Sequence, residues 1–371
     1  MNWDNMKNHT VVLILISMLA LASVQPIYSA TEPIVEKKVL DYVILYDESH
    51  GQYFNRTLMT TALNSLSNVT VQDPEVEINI DVLFQENGTE FNSTNLQGID
   101  LLIITNPGID NDFTTAEINA ILDFVELGGS LFLLNNPLTR SENITGHTAA
   151  MNTLLSSRSN RMTSARFMAC PDQIHSQVVI DDFNSTYGND SYITINEYNT
   201  TKNILTPQIS YFWQEVEINN ITVYSTPITL GNEKSDDNTD NVELGKTLFT
   251  SYSVDEEYNI FRNTATGFLT WLLSKDLGNS RLIMSGSTIM FSDYIISGNS
   301  TWIEENQNLD LWKNLILWLL EYTPHPVREP PAIWVFENYA LVVAALSVVI
   351  FGISIIIYKY RNKKRLSVKI Q

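Results

Sequence analysis

The chain has a single cysteine, Cys170, in 371 residues. An intrachain disulfide is impossible, so any folded part stands on its apolar core. Basic residues are also scarce: 22 Lys and Arg face 42 Asp and Glu, a net charge of −20. A surface of that sign repels nucleic acid and anionic lipid, and nucleic acid is excluded as a partner. The five histidines are far apart in sequence, which leaves no short metal-ligand motif. No segment repeats at a fixed period, so solenoids and propellers are excluded. The G-x-S-x-G turn that presents a nucleophile above an α/β sheet is missing as well.

What is present is apolar. Hydrophobic residues make up 44 % of the chain and aromatics 10 %, enough for one large core or two small ones. After Lys7, the run Val11 to Val24 followed by QPIYSATEP outlines a secretory signal peptide over 1–30, or an uncleaved signal anchor. Ala340 to Ile357 is 18 residues without a charge, bracketed by Tyr339 and Tyr358, which predicts a transmembrane helix at 339–358. The tail 359–371 carries six Lys or Arg and no acid, so it is expected in the cytoplasm. These features predict a single-pass protein of the plasma membrane or an endomembrane. Its exported domain would occupy 31–323, joined to the membrane by a Pro-rich stalk at 324–338. Ten Asn-X-Ser/Thr sequons in the expected exported part are candidate glycosylation sites: Asn55, Asn68, Asn87, Asn92, Asn143, Asn184, Asn189, Asn199, Asn220 and Asn299.

From Val39 the pattern alternates. Val39 to Tyr46, Val76 to Phe84, Ile99 to Thr105 and Ser130 to Leu134 read as strands, the first, third and fourth as buried apolar runs. Gly51 to Leu66 reads as a helix. The sharpest local signal is DFTTAEINAILDFVELGGS: Thr114 and Glu117 fit a capping box, Phe113 and Ile118 a hydrophobic staple, and Gly128 with Gly129 a stop. A helix near Ala149 to Ser157 follows, then β-rich pieces at Gln177 to Ile180, Ile209 to Phe212 and Ile221 to Tyr224. Arg281 to Met284 is a strand that delivers Ser285, Gly286 and Ser287, and Leu309 to Leu320 is a closing helix. This order predicts an α/β fold with a mostly parallel, flavodoxin-like sheet covered by helices.

Ligands in such sheets gather beyond the carboxyl ends of the strands. The candidate ligand-binding residues there are Asp47, Glu48 and His50 of LYDESHGQYFN, then Asn106 and Gly108, Asn135, Ser285 and Ser287, and Asp293. Asp47 and His50 are ligand types for a metal, but a site needs three or four. The alternative use of Asp47 and Glu48 is to cap a helix starting near Gly51, with His50 turned toward the strand ends. The turn after Ser130 to Leu134 reads Asn135, Asn136, Pro137 and offers no nucleophile. Cys170 reads as a small buried hydrophobe. No catalytic residue, metal or cofactor is expected.

LLIITNPGIDNDFTTAEINAILDFVELGGSLFLLNNP resembles the strand, helix, strand unit of the class I glutamine amidotransferase-like fold in its non-catalytic branches. Those branches include the gliding-motility ABC-transporter-associated protein, a core subunit of the intraflagellar transport complex, and the single-pass amidotransferase-like subunit of oligosaccharyltransferase. RLIMSGSTIMFSDYII with NLDLWKNLILWLL is similar to the end of the same domain, and ESHGQYFNRTL to the opening loop and helix of the oligosaccharyltransferase subunit. That subunit has a further β-rich domain before its membrane span, and here only Thr323 to Tyr339 occupies that place. The resemblance implies a pseudo-enzyme without the Cys-His pair. It leads to the expectation of a non-enzymatic, membrane-anchored accessory subunit or scaffold of a membrane complex, with one of the oligosaccharyltransferase kind as the narrower form. The alternatives are a surface receptor for a sugar or amino acid at the strand ends, and a metal-assisted hydrolase using Asp47, Glu48 and His50.

Overall fold

A computed structural model of the chain describes residues 37–69, 76–137, 146–156, 162–170, 172, 174–196, 218, 220–230, 241–255, 265–320 and 359. The signal segment 1–30, the stalk 324–338, the segment 339–358, the tail beyond Lys359, Asn143, Asn199 and the expected strand Ile209 to Phe212 lie outside them. Among the described residues the strands are β1 (Lys38–Asp47), β2 (Val76–Gln85), β3 (Leu101–Thr105), β4 (Ser130–Leu134), β5 (Arg166–Phe167), β6 (Val178–Ile180), β7 (Ser185–Thr186), β8 (Asn189–Asn196), β9 (Asn220–Val223), β10 (Ile228–Thr229), β11 (Asn241–Lys246), β12 (Tyr252–Val254), β13 (Thr270–Asp276), β14 (Arg281–Ser285), β15 (Ile295–Ser297) and β16 (Ser300–Thr301). The helices are α1 (Thr60–Asn64), α2 (Thr115–Glu126), α3 (Thr148–Ser156) and α4 (Asn308–Leu319).

Seven strands make one sheet in the order β11-β13-β14-β4-β3-β1-β2. β1, β3, β4 and β14 run parallel, with Ile44 beside Leu101, Leu101 beside Ser130 and Leu131 beside Leu282. β13 is antiparallel to β14, and β11 to β13. Read from the other edge, β2-β1-β3-β4-β14 is the 2-1-3-4-5 order of flavodoxin-like sheets. The fold is a mixed α/β one with a mostly parallel central sheet.

Successive strand residues point to opposite faces, and the apolar runs supply both. Ile44, Tyr46, Leu101, Ile103, Phe132, Leu134 and Ile283 form one core with Ala62 and Leu63 of α1 and with Trp312, Leu315 and Ile316 of α4. Leu45, Leu102, Ile104, Leu131, Leu133, Leu282 and Met284 form a second with Ile118, Ile121 and Leu122 of α2 and Met151 and Leu154 of α3. Both faces of β3 and β4 are thereby removed from water, and every residue of the two strands is buried.

α2 has the expected start: the Thr114 side chain accepts from Glu117 N, and Glu117 returns to Thr114 N at 2.9 Å. The helix expected from Gly51 is much shorter, α1 followed by a 3₁₀ turn at Ser65–Asn68. Asn55 explains the delay. Its Oδ1 accepts from Thr57 N at 3.0 Å and Leu58 N at 3.3 Å, and Met59 N donates to Asn55 O at 3.0 Å, an N-cap arrangement that starts the first helical turn only after Asn55. The membrane expectation is corrected: no helix among the described residues is long and apolar enough to cross a membrane. That finding gives no support to the expected plasma-membrane or endomembrane location or to the membrane as a partner.

Gly286, just after β14, sits where a neighbouring backbone passes. Its N–H donates to Trp271 O at 2.7 Å and its C=O accepts from Thr226 N at 2.8 Å, while an added Cβ would lie 1.9 Å from Thr226 O. Gly286→Ala is expected to destabilise the domain by about 3 kcal/mol in urea unfolding, since the obstacle is backbone and cannot swing aside. Stability within experimental error of the native chain would contradict this packing.

Candidate functional site

From β1 the chain goes to β2 on one side and then to β3 on the other, so the topological switch point lies between the carboxyl ends of β1 and β3. Here the structure brings Asp47, His50, Asn106 and Gly108 to one edge, and it closes that edge. Gly108 N donates to His50 O at 2.7 Å. No side chain fits between them, for a Cβ on Gly108 would lie 3.0 Å from Gly51 O and 3.3 Å from His50 O.

Asp47 ends β1 fully buried. Its Oδ1 accepts from Ser49 N at 2.9 Å and Ser49 Oγ at 2.6 Å, and its Oδ2 accepts from Gln52 Nε2. His50 Nδ1 lies 2.8 Å from Ser49 Oγ and 3.3 Å from Asp47 Oδ2, and Nε2 lies 3.1 Å from Glu117 Oε1. Ser49 Oγ gives its own proton to Asp47, so both ring nitrogens face acceptors. The arrangement calls for a proton on each, the imidazolium form. Phe113 at 4.4 Å and Phe91 at 5.7 Å between ring centroids wall the imidazole from water. Burial is the largest influence on His50 and disfavours its charge, yet Asp47 and Glu117 together outweigh it and raise the pKa above the ordinary 6.5. Burial is again the largest influence on Glu117. It is outweighed by Thr114 N–H, the His50 charge and Phe91 N–H, and the pKa falls below 4.5.

Glu48 takes no part in this cluster. It accepts from Arg56 N and pairs with the Arg56 guanidinium, which also reaches Glu86 at 2.9 Å and lies over the Phe84 ring at 4.2 Å. Asp47 and Glu48 therefore organise the turn after β1 and do not cap a helix at Gly51. Asp293 is also elsewhere: its Oδ2 accepts from Thr61 N at 2.9 Å, so it caps α1 from across the fold.

A second polar group continues along the strand ends. Asn106 Nδ2 donates to Asn135 Oδ1, and Asn135 N donates to Ser285 O at 2.8 Å. Thr288 Oγ1 donates to Asn135 O at 3.0 Å, and Ile289 N to Asn136 Oδ1 at 3.0 Å. Ser287 N donates to Ser285 Oγ at 3.2 Å, and Ser285 Oγ to Ser287 O at 2.9 Å. These side chains are buried and bonded mainly to neighbouring backbone; Asn106 Oδ1 and Ser287 Oγ are left with no hydrogen-bond partner. Sequence reading missed Glu117 as a site member, because its capping box accounts for it locally, and missed Ser49 and Gln52.

Among the described residues no three His, Cys, Asp or Glu side chains are placed to hold a metal. Asp47 and Glu117 approach opposite edges of one ring, so they cannot share an ion. Cys170 is buried, its N–H donating to His175 O at 2.8 Å. Of the sequons, Asn55, Asn87, Asn92 and Asn299 are exposed. Asn184, Asn189 and Asn220 are half-buried, and Asn184 Nδ2 donates to Asp181 and Thr250.

No protein-family model matches this sequence, and no curated protein is significantly similar to it. Solved structures are similar at a distance. The mmIFT52 N-terminal domain has 15 % identity and a TM-score of 0.48 over 74 % of this chain and 100 % of its own. A putative ThuA-like protein from Bacteroides uniformis has 15 % identity and a TM-score of 0.34, covering 76 % and 91 %. The glutaminase domain of Trypanosoma brucei CTPS, with bound acivicin, has 9 % identity and a TM-score of 0.36, covering 76 % and 96 %. Likeness at this level says nothing about activity, and the fold stands on the strand order described above.

The charged cluster sets a pH dependence. The stabilisation from His50, whose pKa is raised, is complete below pH 6.5 and fades as pH climbs through the raised value. The contribution of Glu117, whose pKa is lowered, is complete above pH 4.5 and fades as pH drops through the lowered value. His50→Ala leaves two buried carboxylates without their shared cation and is expected to lose about 3 kcal/mol between those limits. Urea unfolding of both proteins across pH should show that difference shrinking on the alkaline side; a difference independent of pH would contradict a charged His50.

Proposed function

We propose that this chain is a non-enzymatic α/β domain that binds or scaffolds within a protein complex. The observation that supports this most is the turn after β4. Where an amidotransferase-like sheet would present its nucleophile, this chain has Asn135 and Asn136, both buried and bonded to backbone. The closed switch point agrees, since backbone and the Asp47, His50, Glu117 cluster fill the place where a substrate would enter. An accessory role in a glycosylation complex is the narrower form of the proposal, resting on ESHGQYFNRTL and the other quoted likenesses.

A small-ligand receptor is the second reading, favoured by one observation: buried polar atoms at the strand ends, Thr105 Oγ1, Asn106 Oδ1 and Ser287 Oγ, have no hydrogen-bond partner. Thermal-shift measurements with sugars and amino acids separate it from the first, because only a receptor gains stability from one of them.

Purification of the tagged chain from its native cells is expected to yield a stoichiometric complex, and the purified chain is expected to release no ammonia from glutamine. Recovery as a lone monomer would overturn the scaffold reading, and ammonia release would overturn the non-enzymatic one.

A further inference from the structure

Three phenylalanines stand at the surface on three neighbouring loops: Phe183 is 81 % exposed, Phe249 75 % and Phe268 54 %. The rings of Phe249 and Phe268 are 5.9 Å apart between centroids. One buried carboxylate joins the loops of Phe183 and Phe249. Asp181 Oδ2 accepts from Thr250 Oγ1 at 2.6 Å and Ser251 Oγ at 2.9 Å, while Oδ1 accepts from Phe183 N and Asn184 N, each at 3.0 Å, and from Asn184 Nδ2 at 3.1 Å. The third loop is tied in through Gly267 N, which donates to Ser251 O at 2.8 Å. Each loop tip is therefore held in place by hydrogen bonds beneath it, with its aromatic side chain facing water. Single exposed apolar residues are ordinary, but a cluster on braced loops marks an interaction surface.

The chemistry around the cluster is acidic. Asp182 and Asp190 are exposed, and Tyr252 OH donates to Asp182 Oδ1 at 3.0 Å. Residues 181–190, 247–255 and 265–270 contain no Lys or Arg, and Lys246, at the start of the second loop, is paired with Glu243. A cation over an aromatic face is attracted by the ring, and the flanking carboxylates add to that attraction. A second copy of this chain would bring the same negative charge to the contact.

We propose that Phe183, Phe249 and Phe268, with Asp182 and Asp190 at their rim, form a docking surface for a protein segment that presents arginine or lysine among apolar residues. This rests on the scaffold reading and specifies the surface it would use. The test employs the purified chain and two synthetic peptides with the same leucine positions, one carrying arginine and the other glutamate between them, titrated by calorimetry. The arginine peptide is expected to bind and the glutamate peptide not to. The triple variant Phe183→Ser, Phe249→Ser, Phe268→Ser should lose about tenfold or more in affinity while keeping the native melting temperature. Two checks serve the case where the triple variant unfolds: Asp182→Asn with Asp190→Asn should weaken the same binding, and added salt should do so in the native chain. Four results would overturn the proposal: no binding of the arginine peptide, binding that survives the substitutions, a dimer that the triple variant abolishes, or vesicle binding that it abolishes. The native-cell purification is independent of all four, so a stoichiometric complex alongside any of them would retain the scaffold reading and remove this surface.

Discussion

The imidazole of His50 lies between two buried carboxylates, Asp47 from the end of β1 and Glu117 from the first turn of α2. The closed edge of the sheet depends on this contact. Either carboxylate alone in that setting would be an uncompensated charge, and two of them without the ring would repel as well. The same residue uses its backbone carbonyl to receive Gly108 N–H, so one histidine fixes the loop after β1 against both α2 and the loop after β3. Phe91 and Phe113 keep water from the ring, which strengthens each hydrogen bond and raises the penalty for losing one. What a flavodoxin-like sheet ordinarily leaves open for a ligand is here occupied by the protein itself.

Beyond the histidine, the strand ends are held by neutral side chains. Asn135 and Asn136 follow β4 and fasten it to β14 and to the turn after it, through Ser285 O, Thr288 Oγ1 and Ile289 N. This is a structural use of the position from which chemistry would be expected. It is incomplete, since Asn106 Oδ1 and Ser287 Oγ are buried without partners. A buried acceptor left unpaired carries a penalty of about 1–3 kcal/mol. That residual polarity distinguishes the seam from an ordinary core and keeps the small-ligand reading alive as the second one.

Much of this was legible in the sequence because the signals are local. β3 and β4 are uninterrupted apolar runs, and α2 announces itself through Thr114, Glu117, Phe113 and the Gly128–Gly129 stop, all within one short stretch. Two misses, at Asp293 and Glu117, come from contacts that are distant along the chain. Asp293 sits beside the SGS turn in sequence, yet it caps α1. Glu117 is fully explained as a capping residue until its second oxygen is seen to face His50. The long helix expected from Gly51 failed for a local reason: Asn55 accepts from Thr57 N and Leu58 N as an N-cap does, so the helical turn begins after it, and apolar spacing alone does not mark that start. The expected membrane span drew on the uncharged run 340–357, the tyrosines beside it and the basic tail, and no described helix is long and apolar enough to cross a membrane.

The central claim is that the switch point is closed by the chain's own backbone and by the His50 cluster. Native-state amide hydrogen exchange at Gly108 and Ser49 tests it most directly, since their N–H groups donate to His50 O and Asp47 Oδ1. A closed edge predicts protection of both amides comparable to that of the β3 strand. Exchange at the rate of an open loop would contradict it.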